Sequence, residues 1–368
     1  MYKLSKPNIK IDDFFDDLLA NRQGFAGKFR VGRIKSIKSE LIEKETHYTN
    51  FLAHENKNEL HQIVPTQVIE IPRDTPVLQF FNFPNTIAKN KLLEKLREYK
   101  LIDFIDSTQT KNLILEQLKE IKLNHLDDML TVGEDLYTYS RYVDKNVMKD
   151  AYEDYIVNDT GIGRDVYDEL LLLADDAICP YCLIGNVTTL DHYLPKANYI
   201  DYAITPMNLI PSCVDCNSNK SDEIYDIEEK LLINSYIEDI TSINWLEGEL
   251  IEAFPITFEF KIKSTLGSSV LRSRLERQFF KLELDLRYGN TASRIFRIRV
   301  KSIVIDYLSG GLEAVRKKLE SDKSSAEFFN LNSLEAKVYE SLLNSNWFMK
   351  KDTFKSIIEY YKLEKIQS

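Results

Sequence analysis

The sequence predicts an α+β protein that is predominantly α-helical and built around a small central zinc-bound unit. Three observations carry that expectation. Glycine and proline are scarce, at 12 and 10 in 368 residues, and long Leu/Ile/Lys/Glu stretches repeat at helical spacing. One segment, "PITFEFKIK", alternates apolar and polar residues with the period of a strand. All four cysteines fall in a single stretch, Cys179 to Cys216.

Taken in chain order, residues 10–55 read as helices, "DDFFDDLLANR" and "GRIKSIKSELIEKETHYTNFL", separated near Gly24 and Gly27. Residues 62–86 hold four prolines among β-branched residues, which predicts loop with short strands. From 87 to 150 helical spacing returns: Leu92, Leu96 and Tyr99 share one face, as do Ile114, Leu118 and Ile121. Gly161 and Gly163 then break the pattern before a helix leads into the first cysteine pair. Past 225, Ile256, Phe258, Phe260 and Ile262 form the apolar side of the alternating strand. From about 268 onward the period is helical again, with a break at Gly310 and Gly311. This organisation divides the chain into a mainly helical region at 1–150, a central unit at 151–235 and a strand followed by helices at 236–368.

The beginning of the chain lacks a secretion signal, and apolar runs such as "LLLLA" are too short to span a bilayer. A soluble, cytoplasmic protein that makes no membrane contact is expected. The formal net charge of −10 argues against nonspecific coating of nucleic acid, so any polyanion site must be local. Two basic stretches qualify: 28–38, and 272–301 with Arg272, Arg274, Arg277, Lys281, Arg287, Arg294, Arg297, Arg299 and Lys301. Each also reads as the solvated face of an amphipathic helix.

Cys179 and Cys182 form one C-x2-C pair and Cys213 and Cys216 another. Each short turn lets both sulfurs of a pair reach one metal from one side, so the two pairs predict a tetrahedral zinc site. In a reducing compartment disulfides are disfavoured, and a thioredoxin-like redox pair would leave the second pair unexplained. Four thiolates fill the shell of the ion, which makes this zinc structural. A metal gripping both ends of the intervening segment draws Asp191, His192 and Asn217 together. Strand alternation, however, sends the neighbours Asp191 and His192 to opposite faces.

The stretches "LDHYLPK", "NL" and "CVDCNSNKSD" resemble the HNH endonucleases, the zinc-supported branch of the ββα-metal nucleases. The resemblance covers about 179–222. More loosely, "GRDVYDEL", "INSYIEDI" and "NSLEAKVYESLLNSNWF" are similar to stand-alone bacterial HNH proteins, several of them from anti-phage defence systems. What it implies is metal-assisted hydrolysis of DNA. His192 would be the general base, Asp191 and Asn217 would hold catalytic Mg²⁺ or Mn²⁺, Asn208 would pin the loop between strand and helix, and Lys220 would contact phosphate. With one carboxylate and one amide, that metal would bind weakly before substrate arrives.

Two other functions fit the same residues: a noncatalytic zinc module that binds nucleic acid or protein, and an HNH nuclease acting on RNA. No G-x4-G-K-[ST] phosphate loop occurs, so an ATPase, if one serves this protein, belongs to a partner chain. The remaining histidines, at 47, 54, 61 and 125, lack such a frame and read as structural.

Overall fold

The computed structural model describes residues 1–20, 25–53, 57–72, 75, 142–328 and 330–366. The helices expected around 91–101 and 112–123, and most of the proline-rich segment, lie outside the described residues. Three helices open the chain: α1 (Ile11–Leu19), α2 (Phe25–Ser36) and α3 (Lys38–Ala53). In α1 the residues Ile11, Phe14, Phe15, Leu18 and Leu19 are buried, the spacing of one helical face. The orphan amide at its start donates to Glu45 Oε2 of α3 at 3.0 Å. The break between the next two helices falls at Ile37. Gly27, expected to separate helices, lies inside α2.

A short strand β1 (Val68–Glu70) pairs antiparallel with β2 (Tyr142–Asp144), which runs directly into α4 (Lys145–Tyr152). Asp144 caps α4 by accepting from the amides of Asn146 and Val147. A single π-turn at Glu153–Val157 leads to α5 (Ile162–Leu171).

The centre of the molecule is a ββα element: β3 (Thr189–His192), β4 (Leu209–Ser212) and α6 (Val214–Lys220). The strands are antiparallel, with Leu190 opposite Pro211, Asp191 opposite Ile210 and His192 opposite Leu209. This pair is a wall between two hydrophobic cores. Leu190 and Leu209 join Phe14, Phe15, Val166 and Leu170 on the side of the N-terminal helices. Tyr193 and Ile210 join Tyr181, Trp245, Leu275 and Tyr288 on the side of the C-terminal helices. Because both faces are covered, these strands lack the apolar–polar alternation of a half-exposed strand.

The remainder is a hairpin, β5 (Leu246–Ile251) and β6 (Thr257–Ile262), packed against α7 (Ser269–Lys281), α8 (Leu284–Glu327), α9 (Leu334–Asn344) and α10 (Lys351–Tyr360). Phe258, Phe260 and Ile262 are buried while Glu259 and Lys261 are exposed, the alternation read from the sequence. Asn332 fixes the start of β5, its Oδ1 accepting from the amides of Trp245 and Leu246 and its Nδ2 donating to the Ile243 carbonyl. Helix α8 bends at Gly310 and Gly311, where Gly311 has φ 68°, a conformation open to glycine. Among the described residues no helix is long and apolar enough to cross a membrane.

Candidate functional site

The two cysteine pairs are held by different local devices. The first lies in a tight turn, where the Cys179 amide donates to the Gly185 carbonyl at 2.8 Å and the Gly185 amide donates to Cys182 Sγ at 3.4 Å. Gly185 is required by space, because a Cβ there would lie 2.8 Å from Cys213 Sγ. The second pair straddles the start of α6, with Cys213 as the N-cap residue whose sulfur accepts from the Cys216 amide.

All four cysteines are free and buried, and their sulfurs lie within 4.8 Å of one another. The Cys182 and Cys213 sulfurs are 3.8 Å apart. Zinc–sulfur bonds of about 2.3 Å in a tetrahedron require sulfur–sulfur edges of about 3.8 Å, so the donor set fits a zinc ion.

From α8, Arg287 reaches this cluster, donating to Cys216 Sγ at 3.2 Å and to Cys182 and Cys213 Sγ at 3.5 Å each. Its neighbour Tyr288 donates to the Cys182 carbonyl at 2.9 Å. A zinc with four thiolates carries excess negative charge, which a guanidinium at this distance offsets. Arg287 therefore serves the metal site from a basic stretch that also reads as a phosphate-facing surface. Other members of that stretch are likewise spent on carboxylates: Arg274 on Glu238, and Arg277 and Lys281 on Glu223.

On β3, strand alternation governs the last two residues. Asp191 faces the cysteine side, where its Oδ2 accepts from the Tyr181 hydroxyl at 2.8 Å and its Oδ1 lies 3.2 Å from Lys220 Nζ. His192 faces the N-terminal side, where Nε2 lies 2.9 Å from the Ala203 carbonyl and the ring meets Tyr152 edge-on at 4.4 Å. The hydrogen-bond partners of the two side chains are disjoint. With Nε2–H donating to Ala203, Nδ1 keeps the lone pair.

All three ionisable groups are enclosed: Asp191 is 3% exposed, His192 8% and Lys220 1%. Burial drives His192 down to about 3, with Lys196 nearby acting in the same direction, so the imidazole is neutral. Burial raises Asp191 against the opposing pull of Lys220 and Tyr181, and lowers Lys220 against the pull of Asp191. The ammonium also donates to the His192 carbonyl at 2.5 Å, which ties α6 to β3 through both strand residues.

Asn208 is fully buried just before β4, its Oδ1 accepting from the Leu194 amide at 2.8 Å and its Nδ2 donating to the Leu194 and Tyr202 carbonyls. Asn217, in α6, donates through Nδ2 to Thr189 Oγ1 at 3.2 Å and to the Leu190 carbonyl at 3.3 Å. It thus sits against the strand residues that precede Asp191. The structure brings Asp191, Asn217 and Lys220 to one side of the strand pair, and His192 to the other.

Two contributors escape a reading of motifs. Tyr181 lies inside the first C-x2-C turn, and that position is the signal that could have found it, since a knuckle residue must face the clipped strand. Arg287 gives no local signal, because its sulfur partners are 71 or more residues away in the chain.

Residues 179–223 match the family model of the HNH endonucleases. The chain is also similar to Protein ea31 of Escherichia phage lambda, at 28% identity over 120 residues, which are 32% of this chain and 40% of that protein. The chain therefore spans well under half the length of this curated relative. No solved structure matches it. The four-cysteine cluster, the ββα element it clips and the family match fall on the same residues: positions 179–223 form an HNH endonuclease domain.

Proposed function

We propose that the protein is a metal-dependent endonuclease that hydrolyses DNA phosphodiester bonds through His192, acting in bacterial anti-phage defence. The observation that carries the reading is the ββα element beside the cysteine cluster, in which Asp191 and His192 are neighbours on β3 and Asn217 lies on α6 against the same strand. In this reading 151–235 is the reacting unit and 1–150 and 236–368 select or gate the substrate. The similarity to a phage lambda protein supports the biological setting, and delivery of DNA by a partner ATPase is part of the proposal.

His192 would take the proton of the attacking water. Its neutral, singly hydrogen-bonded imidazole offers the required lone pair, and an approaching phosphate would raise its basicity. Asn208 would hold the loop after β3 in register through its side-chain hydrogen bonds to the Leu194 amide and to the Leu194 and Tyr202 carbonyls. Asp191 and Asn217 offer the oxygen donors that Mg²⁺ or Mn²⁺ prefers, and such an ion would supply positive charge to the scissile phosphate and leaving oxygen. Lys220 already presents a cation at Asp191 Oδ1, the role of a stand-in charge, and would turn to phosphate when that carboxylate is otherwise engaged. Because His192 is covered by Tyr152, water and substrate need the α4 side to move, which is consistent with an activity that waits for a trigger.

A second reading has its own support: both oxygens of Asp191 already have partners within the protein, as expected of a noncatalytic zinc module. Incubation with supercoiled plasmid and with single-stranded RNA, each in Mg²⁺, Mn²⁺ or EDTA, separates the readings. Cleavage of plasmid that requires metal and is lost in His192→Ala is the expected result. Cleavage of RNA alone moves the substrate. Plasmid cleavage undiminished in His192→Ala removes the assigned base.

A further inference from the structure

Helix α8 carries Arg294, Arg297 and Lys301 at intervals of three and four residues, so the three cations line one helical face. They are exposed. They border a cleft of about 820 Å³ whose other walls are the turn at 255–257 and the end of α10, with Tyr360, Tyr361 and Lys362. None of the described residues lining the cleft is acidic. Among the described residues, no carboxylate lies within 4 Å of any of the four cations, whereas Arg274, Arg277, Lys281 and Arg287 of the same basic stretch are all engaged. In a chain of net charge −10, an acid-free cleft with four unneutralised cations is a local anion site.

The aromatic wall gives the anion a chemical class. Tyr360 is 47% exposed, and its inner face stacks on Phe254 with ring centroids 5.1 Å apart and planes 27° from parallel. Tyr361 meets it edge-on at 5.0 Å, and the Tyr361 hydroxyl accepts from the Ile256 amide at 3.3 Å. The outer face of Tyr360 is therefore a ring fixed in place beside the cations. Along α8 the step from Arg294 to Lys301 is about 10.5 Å, seven residues at about 1.5 Å each. That length matches a run of backbone phosphates, with a flat ring where a base would lie.

We propose that this cleft between α8 and α10 binds a single strand of nucleic acid, with Arg294, Arg297, Lys301 and Lys362 on the phosphates and Tyr360 as a stacking platform. It rests on the nuclease reading only for the choice of nucleic acid over other polyanions. The cleft lies in the C-terminal part of the chain, outside 179–223, and would hold DNA flanking the point of cleavage.

The test is fluorescence anisotropy of the full zinc-loaded chain with a labelled single-stranded DNA of about 16 nucleotides in buffer without Mg²⁺ or Mn²⁺, so that binding is read without cleavage. Arg294→Ala/Arg297→Ala/Lys301→Ala should weaken binding at low salt at least tenfold and make the plot of log affinity against log salt shallower by about 2, three contacts at about 0.7 each. Tyr360→Ala should weaken binding about fivefold or more, while Tyr360→Phe should match the parent. His192→Ala should bind as the parent does, so that loss of cleavage and loss of this site are separate results. Melting temperatures of the Arg294, Arg297, Lys301 and Tyr360 variants, all at exposed positions, and of His192→Ala, at a buried one, report whether folding is intact. Unchanged affinity and salt slope in the triple variant would overturn the proposal. So would equal affinity for duplex with no effect of Tyr360→Ala, which leaves only a charged surface, or binding to vesicles of acidic lipid in place of DNA.

Discussion

Lys220 is a lysine with about 1% of its surface exposed, and it survives there because Asp191 and the His192 carbonyl receive its ammonium. A buried ion pair adds little over an apolar pair of the same shape, but removing one partner strands the other charge. Lys220→Met should therefore destabilise the protein by about 3 to 5 kcal/mol in urea unfolding, and adding Asp191→Asn should restore part of the loss. Asn208 poses the same problem with neutral groups. Asn208→Ala leaves the Leu194 amide and two carbonyls without their partner in a buried place, which should cost about 2 to 4 kcal/mol. These roles were only partly legible in the sequence. The residue types announced a site, but the partner of each group could not be read, since Lys220 and Asp191 are far apart in the chain and meet only through the fold.

At the scale of the element, what the sequence revealed depended on how many faces are buried. Strand β6 was legible because one face is wet, leaving the apolar positions Phe258, Phe260 and Ile262 between polar ones. Strands β3 and β4 are buried on both faces and show no such period, so only the cysteine frame around them pointed to a strand pair. Strand β5 went unread because "LEGELI" places Gly248 and two glutamates in its run. Helix α1 was legible in its apolar face, yet its start is completed by Glu45 from another helix, 34 residues on. Burial lifts this carboxyl from 4.5 to about 7, with the Ile11 amide pulling the other way. Between those values the folded protein keeps a proton that the unfolded chain has released. Stability attributable to Glu45 must then fall as pH rises from about 4.5 to about 7 and stay level above that. Glu45→Gln should match the parent near pH 5 and exceed it at pH 8 by about 1 to 3 kcal/mol, read from urea midpoints at the two values.

For the whole molecule, the cysteine cluster is where separate regions of the chain meet. Its ligands come from the turn before β3 and the start of α6, while Arg287 and Tyr288 reach in from α8. A metal bound there is coupled to folding, because its binding free energy exists only when the four sulfurs are together. Purified protein should thus carry one zinc per chain, and Cys213→Ser should lower both zinc content and melting temperature. Arg287 separates the electrostatic part of this coupling from the ligands themselves. Arg287→Leu retains all four sulfurs and much of the packing but leaves the thiolate charge without its guanidinium, so zinc should be released to a competing chelator about tenfold faster or more. Arg287→Lys should recover part of that loss, as a single ammonium cannot reach three sulfurs at once. If zinc release were the same in all three proteins while Cys213→Ser lost the metal, Arg287 would be a packing residue, and its hydrogen bonds to the sulfurs would add nothing to the hold on the metal.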